Sequence, residues 1–217
     1  MAGRKKRLQS TAPRKNRSSR PRAVGAARGA FSRALGAVMQ FLDALERPSA
    51  IIGGVAVIAH GFARTTADID ACVAIGFEDL PLALKTAQRS DLRPRVPDAV
   101  QFARENLVLL LEHRPTGTPV DVSIAQQPFE IESARRAQSV NFAGVSLRIV
   151  SVTALIIYKM LASRPQDLQD VEALLAGRER IDRREVESVL SQFDRILELD
   201  RLGDFRRLSA KLNDAID

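Results

Sequence analysis

The chain has 217 residues, enough for one sizeable core or two small ones. With 45% hydrophobic and 27% charged residues it has an ordinary globular balance, and no apolar run approaches the roughly 18 residues of a membrane span. The net charge of +7 is concentrated at one end: residues 1–22 hold nine Lys/Arg and no acid, so the other 24 basic and 26 acidic residues leave a body of net −2. The single cysteine, Cys72, excludes an internal disulfide and a Cys-rich zinc site, and suits a small core residue in a reducing compartment.

Residues 1–23 are Ser-, Pro- and Arg-rich with almost nothing to bury, and read as a disordered basic arm. The arm either raises affinity for RNA through phosphate contacts or is a solvated tail. It lacks an apolar h-region and so is not a secretory signal. Its composition overlaps with that of an organellar transit peptide, a reading ranked second to the arm, and the expected location is cytoplasmic. No aromatic interleaves the arm, and with no Trp and one Tyr, Tyr158, no base-stacking platform is expected.

From residue 24 to 46, Phe31, Leu35, Val38, Leu42 and Leu45 recur at helical spacing, and Pro48 ends the helix. A short buried strand, Ala50–Ile52, runs into Gly53-Gly54 and an apolar helix beginning near Val55. Glycines there permit a tight turn and close ligand approach, and the helix start offers free N–H groups for a triphosphate; a plain strand–helix turn has the same signature. The stretch fits neither G-x-G-x-x-G nor a P-loop, which excludes Rossmann and Walker readings. Arg64 and Thr66 follow, suited either to orienting neighbouring carboxylates and phosphates or to a local salt bridge and turn. Then comes Asp68-Ile69-Asp70 at the head of a strand ending in Cys72-Val73. Side chains alternate along a strand, so Asp68 and Asp70 share one face and Ile69 enters the core. His60 and His113 read as surface or capping residues.

Residues 78–89 read as a helix with Pro81 in its first turn, and Arg93–Pro97 as a loop. Leu107–Glu112 and Pro119–Ile124 read as strands joined through Arg114-Pro115-Thr116-Gly117-Thr118. In the second, Val120, Val122 and Ile124 face one way and Asp121 and Ser123 the other. A carboxylate so placed is either an edge group in water or needs a buried partner, which a metal shared with Asp68 and Asp70 would supply. Ser139–Phe142 and Val145–Val150 read as a hairpin turning at Ala143-Gly144. Helices follow: Val152–Ala162 capped by Ser151, one from Pro165 to just before Gly177, one from Asp182 with Glu185 three residues on, and a short last one after Gly203. In the second, Leu168, Val171, Leu174 and Leu175 form the apolar stripe, with Asp167 and Asp170 at its rim. Lys159 reaches the same rim, for an inter-helix salt bridge or for a site.

Gly53-Gly54, Arg64-x-Thr66-x-Asp68-Ile69-Asp70, Val120-Asp121-Val122 and Lys159-x-x-Ala162-x-Arg164-x-x-Asp167-Leu168-x-Asp170-Val171 together resemble the minimal nucleotidyltransferases of the polymerase-beta-like superfamily. Within it the similarity is to the AbiEii type, toxins of abortive-infection and type IV toxin–antitoxin systems, over roughly residues 48–176. The resemblance implies an α+β fold: a nucleotidyltransferase-like mixed sheet flanked by helices over residues 24–150, then a helical C-terminal part over 151–217. It implies Mg²⁺ or Mn²⁺ at Asp68, Asp70 and Asp121, an NTP at Gly53, Gly54, Arg64, Thr66 and Lys159, and Asp167 or Asp170 as the acid of the last motif. Many superfamily members carry Gly-Ser where this chain has Gly53-Gly54, so a hydroxyl to phosphate is missing there. The implied reaction moves a nucleotidyl group from an NTP to a hydroxyl, on RNA such as a tRNA end, with a possible cognate antitoxin. Transfer to a small molecule of the aminoglycoside type, and a silent nucleotide- or RNA-binding module, are the alternatives.

Overall fold

The computed structural model describes residues 20–177 and 180–213. Its elements in chain order are α1 (Arg20–Ala44), β1 (Ser49–Ile51), α2 (Gly53–Ala59), β2 (Ile69–Val73), α3 (Leu80–Arg89), β3 (Leu92–Pro94), α4 (Ala99–Asn106), β4 (Val108–His113), β5 (Thr118–Ile124), α5 (Pro128–Arg135), β6 (Gln138–Phe142), β7 (Val145–Ile149), α6 (Val152–Ala162), α7 (Pro165–Ala176), α8 (Arg183–Leu197) and α9 (Arg201–Asn213). The strands form one mixed sheet in the order β3-β4-β5-β2-β1-β7-β6. β2 runs parallel to β5 and β1 parallel to β7, while the other neighbours are antiparallel.

The three central strands show why this sheet forms. Every residue of β1 is buried, and β5 alternates buried Thr118, Val120, Val122 and Ile124 with partly exposed Pro119, Asp121 and Ser123. Ile69, Ala71 and Val73 of β2 are fully buried beside Val120 and Val122. Each such aliphatic side chain contributes about 1.5–3 kcal/mol when taken from water. α1 packs against β7, β5 and α3, with Leu35, Val38 and Leu42 fully buried at the spacing read from the sequence. α6 is apolar nearly all round because it is enclosed: it packs against α2, α7, α8 and α9, and Tyr158 meets Phe129 of α5 at 5.1 Å between ring centres. Ser151 caps it through the Ala154 N–H at 3.2 Å.

Several expectations are revised. The first helix begins at Arg20, so the last residues assigned to the arm are helical, while residues 1–19 lie outside the described part. The segment read as a loop opens with β3, which pairs Leu92, Arg93 and Pro94 with His113, Glu112 and Leu111. α4 and α5 were not foreseen, because their buried residues are alanines alone, Ala99 and Ala103 in the one and Ala134 in the other, which make no strong apolar stripe. The last helix starts at Arg201, with Gly203 inside it; the Asp194 carboxylate accepts the Arg201 and Leu202 N–H groups at 2.9 Å and fixes that start.

Candidate active site

Asp70 projects from β2 on the face opposite the buried Ile69 and Ala71. Its register partner across the parallel ladder is Asp121 of β5. Asp68 stands just before the strand. The three carboxylates line one cavity of about 590 Å³ together with Arg64, Thr66, Lys159, Arg164 and Asp167. Burial, then the neighbouring Asp68 and Asp121 charges, push the Asp70 carboxyl above its usual range; the Gly54 N–H and the Lys159 charge oppose this. Burial likewise pushes Asp121 up against the opposing Arg95. Thr66 donates its hydroxyl hydrogen to Asp68 Oδ1 at 2.7 Å.

Arg95 is the protein partner of Asp121, donating from Nη2 to Oδ1. The chain beyond β3 holds it there, with the Arg95 N–H bonded to the Leu110 carbonyl at 2.9 Å. Nothing local in the sequence signals this pair, because it depends on β3 and β4 lying beside β5. Among the described residues, no three His, Cys, Asp or Glu side chains already form a metal cage.

The glycine turn is shaped around Asp70. Gly53 has φ +61°, and a Cβ there would lie 1.9 Å from Asp70 Oδ2. Glycine answers both demands. The Gly54 N–H at the start of α2 serves the Asp70 carboxylate. A Cβ on Gly54 would meet Thr66 Oγ1 at 2.8 Å and Arg64 Cζ at 3.1 Å, so the Thr66 hydroxyl fills the space a side chain at 54 would take.

Opposite the carboxylates lies a chain of charges. Arg164 donates from Nε to Asp167 Oδ2 at 2.6 Å, and Lys159 from Nζ to Asp167 Oδ1 at 2.8 Å. Lys159 also pairs with Asp170 Oδ2 at 2.9 Å, and Arg64 Nη1 with the same oxygen at 2.7 Å. Asp167 and Asp170 were expected at a rim but are buried. The left-handed Ser163 between α6 and α7 folds the two helices face to face and closes over them. Burial opposes ionisation of Asp167, yet the Arg164 and Lys159 hydrogen bonds prevail and hold its carboxyl below the usual range. Lys159 is itself buried, whereas the Arg164 side chain is 75% exposed and feels the Asp70 and Asp68 charges. Three cations against two carboxylates leave this wall net positive, facing the acidic strands. Arg164 carries no separate sequence signal beyond its place in the Lys159–Val171 segment.

The histidines stand apart from the cavity. His60 caps α2 and its Nε2 bonds the Val150 carbonyl at 2.9 Å. His113 is buried rather than at the surface, with Nδ1 at 2.7 Å from Thr116 Oγ1.

A family model described as a nucleotidyltransferase of unknown function, DUF6036, matches residues 33–211. No curated protein matches the chain. Among solved structures, an antigenic nucleotidyltransferase-like protein from Paracoccidioides brasiliensis is 18% identical over 83% of this chain and 91% of its own, with a TM-score of 0.50. The antibiotic-resistance factor ANT(2'')-Ia is 17% identical over 88% and 94%, TM-score 0.45, and JHP933 from Helicobacter pylori 15% over 86% and 81%, TM-score 0.46. The first shares the fold, and with the family model spanning most of its length this chain belongs to the DUF6036 nucleotidyltransferases.

Proposed function

We propose that this nucleotidyltransferase moves a nucleotidyl group from an NTP to a hydroxyl of RNA, a tRNA end being the model acceptor, and that it acts as an AbiEii-type toxin. The observation that carries the reaction is the meeting of Asp68, Asp70 and Asp121 in one cavity with a net positive wall opposite. The toxin role rests on the likeness of the Lys159–Val171 segment.

The donor set suits a hard divalent ion. It offers only carboxylate oxygens, and the mutual repulsion at Asp70 is what a cation would relieve. Mg²⁺ or Mn²⁺ held by Asp68 and Asp70, with Asp121, would neutralise these charges and make the acceptor hydroxyl more acidic. The acceptor oxygen bonds to the α-phosphorus, the bond between that phosphorus and the α–β bridging oxygen breaks, and pyrophosphate leaves. The hydroxyl proton passes to a carboxylate of the cavity. Arg164, exposed and facing the acidic strands, meets the phosphates. Lys159, expected at the phosphates, instead holds Asp167 and Asp170 and so positions Arg164 and Arg64. The Thr66 hydroxyl stands in for the one missing at position 54. The basic arm adds sequence-independent RNA affinity.

The test incubates the full chain with labelled NTPs, Mg²⁺ and total RNA beside Asp70→Ala. Labelled RNA with the wild type alone supports the reading; equal labelling by both, or none, refutes it. Drug-dependent pyrophosphate release without RNA labelling would move the acceptor to the aminoglycoside class. Growth arrest on expression, relieved by Asp70→Ala, tests the toxin role.

A further inference from the structure

A second cavity, of about 840 Å³, adjoins the first and shares Arg64, Thr65 and Thr66 with it. Its volume lies in the range of roughly 300–1,000 Å³ usual for ligand sites. The other wall is built from elements far apart in sequence: Arg28 and Phe31 of α1, and Phe142 at the end of β6. Both phenylalanines are only partly buried. The β6–β7 turn brings Phe142 to the cavity through Ala143 and Gly144, both at positive φ. Arg28 and Arg64 line it, and among the described residues no carboxylate does.

These features specify a ligand. Two aromatic side chains suit a planar base, and two guanidinium groups in a lining without a carboxylate, Arg64 also pairing with Asp170 outside it, suit phosphate. The same charge repels a polycation such as an aminoglycoside. No base-stacking platform was legible in the sequence because its two rings come to line one cavity only through the packing of α1 beside β7, the partner of β6. The sequence before α1 carries seven basic residues and no acid and leads directly into the helix bearing Arg28 and Phe31, which favours a polynucleotide over a free nucleotide.

We infer that this cavity is the acceptor subsite, taking the terminal nucleotide of a single-stranded RNA with its base against Phe31 and Phe142 and its phosphate at Arg28 and Arg64. This rests on the RNA-acceptor reading above and names the surface that serves it.

The experiment uses the full chain and a short single-stranded RNA ending in 4-thiouridine. Photo-crosslinks are mapped, and affinities for the RNA and for each of the four NTPs are measured for wild type, Phe142→Leu and Arg28→Gln, with melting curves as the folding control. Crosslinks in residues 28–32 or 142–143 are expected, with about tenfold weaker RNA binding in each variant and unchanged NTP binding. Crosslinks confined elsewhere, or unchanged RNA affinity, overturn the inference. Weakened NTP binding with RNA affinity intact overturns it too, by giving the cavity to the incoming nucleotide. Binding is read without turnover, so a wild type that binds RNA in this way but transfers nothing to it refutes the transferase reading and leaves the subsite standing.

Discussion

Asp70 and Asp121 occupy the same register position on neighbouring parallel strands, two carboxylates side by side at the floor of one cavity. Such an arrangement opposes folding when both are ionised, and burial together with this repulsion raises the Asp70 carboxyl above its ordinary value of 3.8. A raised acid is protonated more readily in the folded than in the unfolded chain, so its destabilising effect grows as pH rises through the folded value and is absent below the unfolded one. Without divalent ions, Asp70→Asn is therefore expected to melt higher than wild type at pH 7, with the gap closing toward pH 4. Added Mg²⁺ is expected to raise the wild-type melting temperature and leave that of Asp70→Asn nearly unchanged. A lower melting temperature for Asp70→Asn at pH 7 would contradict the electrostatic account.

Lys159 and Arg164 both touch Asp167 but differ in exposure, at 5% and 75% of the side chain. Lys159→Met leaves two buried carboxylates short of a partner and is expected to cost about 3–5 kcal/mol, read by urea unfolding. Arg164→Ala removes a solvent-screened pair that Lys159 backs up, and is expected to cost under about 1 kcal/mol while weakening NTP binding about tenfold, the loss of one charge-assisted contact. The opposite pattern, a stable Lys159→Met with poor NTP binding, would return the phosphate role to Lys159. Because the Asp167 carboxyl is held below its ordinary 3.8, its contribution is fully present above that value and is lost as pH falls through the folded one.

Gly53 is required for two separable reasons. Gly117 shares its positive φ, at +67° against +61°, but an added Cβ there meets nothing within 4 Å. Gly117→Ala is expected to cost about 1 kcal/mol in stability from backbone strain alone, with activity retained. Gly53→Ala is expected to cost at least as much and also to abolish nucleotidyl transfer by displacing Asp70. Equal behaviour of the two variants would show that the Asp70 contact is dispensable.

The Thr66 hydroxyl and a side chain at position 54 compete for one space. Gly54→Ser alone is expected to lower NTP binding, since it must push Thr66 or Arg64 aside. Thr66→Ala alone is expected to lower it as well, by removing the hydroxyl. The double variant is expected to recover part of the loss, and NTP titrations of all four proteins test the coupling directly. Strict additivity would mean that the two positions do not exchange roles.

Much of this site was written in local pattern. The period-2 alternation of β5 put Asp121 on the face opposite Val120 and Val122; Asp68, read as part of the strand, stands just before β2 and lines the same cavity as Asp70. Caps at Ser151 and Asp182 and the proline at 165 set the starts of α6, α8 and α7. α5 was legible in principle, since Glu130 accepts the Gln126 and Gln127 N–H groups at 3.0 Å just before Pro128, but no apolar stripe drew attention to it.

The sequence by itself determined which face Asp121 would take on its strand and where α6, α7 and α8 begin, because those follow from backbone geometry and capping within a few residues. Tertiary structure alone decided who answers the more distant charges, Arg95 at Asp121 and Arg64 at Asp170 across 106 positions, and chose the salt bridge for Lys159 between the two readings its spacing allowed. The reason is physical. A buried ion pair forms between side chains that strand order and helix crossing bring within hydrogen-bonding distance, and neither is encoded in the spacing of residues along one segment.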